Sequence, residues 1–219
     1  MLILASILFV GAHFLMSHQM RKEMVRIFRP IGFALVYSII SLLTFAWMIF
    51  EFMRAPKAEP YWPASDAIWI AASALTLLAA MLFVGSLVRN PSLPGAAEKL
   101  AAQKPFGAYR VTRHPMMWSF ALWGMAHIIV APRPYNFIFM GAIIFLALVG
   151  AKAQEIKKAR LVGVEWDIWL RQTSFGLRLD QLVSVGLTLW LSGILLWLGA
   201  SWAHGYFGGY AAGIFRWIG

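Results

Sequence analysis

The sequence predicts an all-α fold, a polytopic membrane bundle of about six transmembrane helices. Apolar residues make up 61% of the 219-residue chain and charged residues only 13%, whereas soluble domains are nearer to half apolar and a quarter charged. The apolar residues also fall into runs whose lengths approach the roughly 20 residues of a membrane span. We therefore expect a single integral membrane domain over residues 1–219.

Six apolar runs cover residues 2–20, 31–53, 66–88, 116–131, 135–151 and 181–202. The first run has neither a preceding basic stretch nor a small-residue cleavage site, which favours a retained helix over a signal peptide. The fourth and fifth runs are short for full spans. Pro132 and Pro134 punctuate the gap between them, which indicates either a tight helical hairpin or two tilted spans joined by a brief turn.

Lys and Arg concentrate in alternate connections between these runs. Fifteen lie on one side and four on the other, and cytoplasmic loops are the ones enriched in Lys and Arg. We therefore expect a multi-pass protein of the bacterial inner membrane, with the basic connections in the cytoplasm and both termini in the periplasm. The fifteen are Arg21, Lys22, Arg26, Arg29, Arg89, Lys99, Lys104, Arg110, Arg113, Lys152, Lys157, Lys158, Arg160, Arg171 and Arg178, and the four are Arg54, Lys57, Arg133 and Arg216.

Charge and cysteine content exclude several classes of partner. The formal net charge is +10, but the basic residues are spread over short connections and form no continuous face for nucleic acid. Membrane lipids with anionic head groups are the expected partner. The chain has no cysteine, which excludes disulfides and thiolate metal sites, so that a metal must rely on His, Met, carboxylate or Tyr.

Two histidines, His13 and His127, lie inside apolar runs. An ionisable side chain inside a span is costly and needs a partner. Each imidazole is either neutral and hydrogen-bonded to a hydroxyl or a backbone carbonyl, or the two coordinate one metal or haem iron from facing helices. Their distances from the inner ends of their spans differ by ~8 Å, which helix tilt could remove. His18 and His204 lie nearer the surfaces, and we expect them to be hydrated.

The sequence RVTRHP at residues 110–115 places Arg113 and His114 at the mouth of the fourth span. Pro115 suits the first turn of the following helix. Arg113 suits either the binding of an anionic group, such as a propionate or a phosphate, or the anchoring of the helix start at a cytoplasmic surface. The spacing alone leaves both interpretations open.

Two segments outside the spans have recognisable patterns. Residues 152–174 predict a cytoplasmic extension of the fifth helix and then, after Gly163, an interfacial amphipathic helix whose Trp166 and Trp169 anchor it to the membrane. Residues 203–219 are rich in Gly and aromatic residues, and we expect them to lie at the outer interface without forming a regular helix.

Three patches together resemble the NnrU family, which includes the plant and cyanobacterial 15-cis-zeta-carotene isomerase. The first is His13 with the following basic turn at Arg21, and the second is residues 107–127, with RHP and a His thirteen residues after His114. The third is the sequence GVEW at residues 163–166, which leads to a Thr-Ser pair at 173–174. The resemblance covers most of residues 1–180.

This resemblance implies a haem b site. The carotene isomerase holds its haem with two histidines, which correspond to His13 and His127 as iron ligands here, and Arg113 and His114 would then lie near the propionates or the cytoplasmic mouth. An alternative Cys ligand of that enzyme corresponds to Gly124, so a switch to thiolate cannot operate. Bacterial members are associated with nitric oxide metabolism in denitrifiers.

The resemblance leaves the reaction open. It implies either an isomerase-like, haem-dependent reaction on an apolar substrate or a protein linked to a gaseous ligand, and it assigns no catalytic residue. A membrane methyltransferase that uses S-adenosylmethionine also carries an RHP element, but its usual paired glutamates appear here only as Gln154 and Glu155. A non-catalytic assembly or sensor protein is the third class.

Topology can be tested with reporter fusions after Arg29, Lys104 and Arg178. Because all three positions follow basic connections, each fusion should report a cytoplasmic location. Opposite locations for the first and the third fusion would show that the number of spans between them is wrong.

Overall fold

A computed structural model describes residues 1–90, 104–208 and 210–218, so Lys99, in the second of the three basic connections, lies outside the described residues. The described chain is helical and contains no strand. Short turns of π-helix (Leu15–Gln19) and 3₁₀-helix (Gly107–Arg110 and Leu179–Val185) connect some of the helices. The α-helices are α1 (Leu2–Phe14), α2 (Arg21–Met53), α3 (Asp66–Ser86), α4 (Pro115–Val130), α5 (Pro134–Val162), α6 (Val164–Gln172), α7 (Leu187–Gly208) and α8 (Phe215–Ile218).

The helical membrane bundle predicted from the sequence is confirmed. Five helices of the described chain are long and apolar enough to cross a membrane: α1 with its π-helical turn, α2, α3, α5 and α7. Helix α4 is a sixth, shorter apolar helix of 16 residues. It is as short as residues 116–131 suggested, and across Pro132 and Pro134 it forms a hairpin with α5, the first of the two alternatives that the sequence left open.

The bundle is built from two groups of three helices. Helices α1, α2 and α5 pack around an apolar cluster that includes Phe9, Met48 and Phe139. Helices α3, α4 and α7 pack around a second cluster that includes Met81 and Leu82. The α4–α5 hairpin joins the two groups, and a large cavity lies between them.

The first basic connection is itself helical, which the sequence analysis did not predict. Residues 21–29 contain no Gly or Pro, and the Arg26 guanidinium pairs with the Glu23 carboxylate one turn earlier. A kink separates this segment from the span, because Pro30 bars Arg29 from the helical conformation. Arg29 has φ 61° and ψ 170°, which interrupts the helix at this residue.

The last span begins and ends later than predicted. Residues 179–185 form a 3₁₀-helix, and Gly186, with φ 98°, ends it before α7 begins at Leu187. Helix α7 continues through Gly208, so the expectation of irregular structure from residue 203 is wrong for the first part of that segment. Residues 210–213 then fold back toward the cavity.

Gly163, with φ 72°, separates α5 from α6, and this confirms the predicted break. The role expected for the two tryptophans of α6 is wrong. Trp166 is 2% exposed and Trp169 1% exposed, and the ring of Trp169 lies 5.9 Å from that of Tyr109. The 3₁₀-helix that carries Tyr109 covers the tryptophans, so they form a small core instead of membrane anchors.

The contact between α3 and α7 depends on Gly193. A Cβ at this position would lie 2.7 Å from the Met81 Cα, so Gly193→Ala should force the helices apart and lower the free energy of unfolding by about 1–3 kcal/mol. Gly199→Ala is the matched control on the same helix, because its Cβ would meet nothing within 4 Å. Thermal unfolding in detergent measures both, and equal stability of the two variants would contradict this packing.

Candidate functional site: a histidine-lined cavity

The cavity between the two helix groups has a volume of about 1390 Å³, larger than the ~300–1,000 Å³ of most small-molecule pockets. All six apolar helices contribute to its wall, which is largely aromatic and aliphatic. His13 of α1 and His127 of α4 both line it. The two histidines that the sequence singled out therefore share one cavity.

Both imidazoles are oriented by their own helices. Nδ1 of His13 lies 2.7 Å from the Phe9 carbonyl oxygen, and Nδ1 of His127 lies 2.8 Å from the Trp123 carbonyl oxygen. A carbonyl can only accept, so each Nδ1 carries the proton and donates it. Each Nε2 is left with a free lone pair, and this tautomer is the one that a metal ligand bonded through Nε2 requires.

Helices α1 and α4 reach the same level of α5. The ring of Phe14 lies 6.3 Å from that of Phe145, and a Cβ on Gly124 would lie 2.9 Å from Cγ1 of Ile144. These α1 and α4 residues are one and three positions from the cavity histidines of their helices. At ~1.5 Å per residue, the two histidine backbones lie within roughly 8 Å of each other along the bundle axis.

The side chains reduce this difference in depth. The bond to Phe9 tilts the His13 ring toward the start of α1, and the bond to Trp123 tilts the His127 ring toward the start of α4. The two helices run in opposite directions, because each successive apolar helix returns the chain to the other end of the bundle. Each ring therefore leans toward the level of the other.

Two further histidines, His18 and His204, line the same cavity, which the sequence analysis missed. The His204 ring centroid lies 6.2 Å from that of His127, and its Nδ1 lies 3.0 Å from the Tyr210 carbonyl oxygen. Because the sequence predicted that the last span ends at residue 202, His204 was not expected to lie on a helix that faces the bundle. In the described chain, no group of three or more His, Cys, Asp or Glu is arranged to hold a metal ion.

Arg113 and His114 do not line the cavity. The Arg113 guanidinium donates to the Glu155 carboxylate and to the carbonyl oxygens of Leu170 and Thr173, the latter two at 3.1 and 2.7 Å. His114 is 4% exposed, and its Nε2 lies 3.2 Å from Oε1 of Glu155. Of the two interpretations left open by the sequence, these contacts match the anchoring of the helix start, and they lie outside the cavity in which a propionate contact would be made.

This polar cluster joins the start of α4 to the segment after α6. The Arg113 amide donates to the Ser174 carbonyl oxygen at 2.8 Å, and Trp118 Nε1 donates to the Phe175 carbonyl oxygen at 2.7 Å. Burial lowers the pKa of the His114 imidazole, and the hydrogen bond that the imidazole donates to the Glu155 carboxylate only partly opposes this effect. The RHP and Thr-Ser motifs are thus two halves of one structural contact.

The fold and the site define a helical membrane bundle with a histidine-lined apolar cavity. A family model described as NnrU protein matches residues 1–212. The chain therefore belongs to the NnrU family. No curated protein matches it, and neither does any solved structure.

Glu155 is the centre of the polar cluster. The sequence did not indicate this position for Glu155. Its side chain is 7% exposed and that of Arg113 is 12% exposed, so Glu155→Gln should leave a buried guanidinium without its counter-charge. We expect a loss of about 3–5 kcal/mol in the free energy of unfolding. The control is Glu23→Gln in the exposed pair with Arg26, which should cost under ~1 kcal/mol. Similar unfolding midpoints for the two variants would contradict the structural role of Glu155.

Proposed function

We propose that this NnrU protein is a haem b-binding membrane protein in which His13 and His127 ligate the iron. One observation supports this most strongly: both imidazoles line one cavity, each with Nδ1 bonded to a backbone carbonyl and Nε2 free. In hydrocarbon surroundings a free imidazole nitrogen lacks a partner, and an iron atom would satisfy both nitrogens at once.

The residues present fit a haem. The cavity volume of about 1390 Å³ is sufficient for a large planar ligand, and aromatic rings pack beside both histidines. The His13 ring lies 4.5 Å from that of Phe9 and 5.5 Å from that of Tyr37, and the His127 ring lies 4.5 Å from that of Trp123. Such walls suit the apolar faces of a porphyrin, and the bound iron would supply electron-transfer or gas-binding chemistry.

The protein's own groups would set the orientation and protonation of the ligands. The Phe9 and Trp123 carbonyls hold the Nδ1 protons, so the iron-facing nitrogens remain unprotonated. At Gly124, a Cβ would already lie 2.9 Å from Ile144. This tight packing adds to the absence of cysteine as a reason why no thiolate could replace His127.

The proposed role is in nitric oxide metabolism or denitrification, or in an isomerase-like reaction on an apolar substrate. The apolar wall of the cavity suits both a dissolved gas and a hydrocarbon chain. The split of Lys and Arg supports placement in a bacterial inner membrane with periplasmic termini.

The methyltransferase alternative is less well supported. Its paired glutamates would have to be Gln154 and Glu155, but the Glu155 carboxylate is already bonded to Arg113, His114 and Lys152. Binding of S-adenosylmethionine in calorimetry would revive this alternative. An assembly or sensor role would use the same haem site without turnover.

Visible absorption of purified variants tests the ligand assignment. His13→Ala and His127→Ala should each remove or greatly weaken the low-spin haem spectrum, because each removes one axial imidazole. His18→Ala is the control from the same cavity and should keep the spectrum. Its Nδ1 lies 2.7 Å from the Ser17 hydroxyl, which can donate as well as accept, so His18 lacks the carbonyl contact that fixes a free lone pair on Nε2 in His13 and His127.

Two results would contradict the assignment. An unchanged reduced spectrum in both His13→Ala and His127→Ala would exclude these residues as ligands. Loss of the low-spin spectrum in His204→Ala, with retention in His13→Ala, would instead identify His127 and His204 as the axial pair. This pair is the specific competing arrangement because the two ring centroids lie 6.2 Å apart.

A further inference from the structure

The charges in the cavity wall are all positive. Among the described residues that line the cavity, the charged ones are Arg133 and Lys157, and none is Asp or Glu. Arg133 directly precedes α5, and Lys157 lies near the end of that helix, so the two cations occupy opposite ends of the cavity. An apolar cavity with cationic ends is complementary to an apolar ligand that carries an anionic group.

Arg133 has donors that the protein does not use. One terminal nitrogen donates to the Tyr135 hydroxyl at 3.1 Å, but the buried Nε has no hydrogen-bond partner. No carboxylate of the described chain lies within ion-pair distance of it. A buried donor on a charged group is costly when unpaired, and a carboxylate that accepts two parallel hydrogen bonds is the partner that a guanidinium fits best.

The backbone holds Arg133 in one place. Pro134 restricts it to an extended conformation, with φ −114° and ψ 149°. The Asn136 side chain, which is 4% exposed, donates to the carbonyl oxygens of both His127 and Ala131 at 2.8 Å. Asn136 therefore fixes the turn that carries Arg133 relative to the end of α4 that carries His127.

Lys157 is the weaker candidate on grounds of distance and chemistry. Asn136, which bonds to His127, is three residues from Arg133, a rise of ~4.5 Å along α5. Lys157 is twenty-one residues from Asn136, a rise of ~32 Å, whereas Phe145, which marks the level of α1 next to His13, is twelve residues from both cations. A lysine also presents a flexible point charge, whereas an arginine presents a planar fork that matches a carboxylate.

We propose that Arg133 binds the carboxylate of an amphiphilic ligand whose apolar body fills the cavity. The carboxylate can come from two sources. The first rests on the proposed function: the carboxylate is a haem propionate, and the propionates point toward the α4–α5 turn. A long-chain fatty acid offers the same chemistry as a second source. Arg133 would then make the propionate contact that was one of the two roles left open for Arg113.

Haem loss from the full-length protein tests the first source. Haem-loaded protein in detergent is mixed with excess apomyoglobin, and the rate of transfer is followed by absorption. Arg133→Met should lose haem at least about tenfold faster than the wild type, because a charged hydrogen bond is gone. Arg133→Lys should be intermediate, and Lys157→Met, the matched cation at the other end, should stay within about twofold.

Haem dimethyl ester separates loss of the carboxylate contact from general damage. Without free propionates, the wild type and Arg133→Met should release the ester at the same rate. Equal acceleration with haem and with its ester would overturn the proposal, and so would acceleration by Lys157→Met alone.

The second source is tested on the apoprotein with a fluorescent long-chain fatty acid and its methyl ester. If the wild type takes up no haem, the proposed function fails, but Arg133 should still make the acid bind about tenfold more tightly than the ester. Arg133→Met should abolish that preference. If the wild type takes up no haem and also binds acid and ester equally, the proposal is overturned.

Discussion

A buried polar group within a membrane bundle must find its partner inside the protein, because the hydrocarbon around it offers none. Most of this structure follows from that constraint. Backbone carbonyls bond the Nδ1 atoms of His13 and His127, and the carboxylate of Glu155 neutralises Arg113. The Nε2 atoms of His13 and His127 and the Nε of Arg133, for which the described residues supply no partner, line the cavity. Under the proposals above, the two nitrogens would hold a metal and the cation would bind an anion.

The same constraint separates structural motifs from site residues. The RHP and Thr-Ser motifs look like binding elements because they carry Arg and His at the mouth of a span. In the fold they bond to each other and to Glu155, and they join α4 to the segment after α6. The cavity is instead lined by residues that no motif marks, such as Arg133 between two prolines and His204 near the end of α7.

The sequence predicted what depends on local pattern. Run lengths predicted the apolar helices, Pro132 and Pro134 predicted the turn between α4 and α5, and Gly163 predicted the break before α6. It did not predict contacts across the bundle. The burial of Trp166 and Trp169 depends on Tyr109, far away in the chain, and the interactions of Arg113 depend on Glu155. A helical pattern shows which face is apolar but not which neighbour covers that face.

Near-infrared magnetic circular dichroism of the wild-type protein loaded with haem is the most direct test of the central claim, since it identifies the axial ligands of a low-spin ferric haem. The account predicts the band of bis-imidazole coordination, because the cavity presents free imidazole nitrogens and no thiolate is available. Failure of the wild type to take up haem, or a spectrum of a ligand pair other than two imidazoles, would contradict the account.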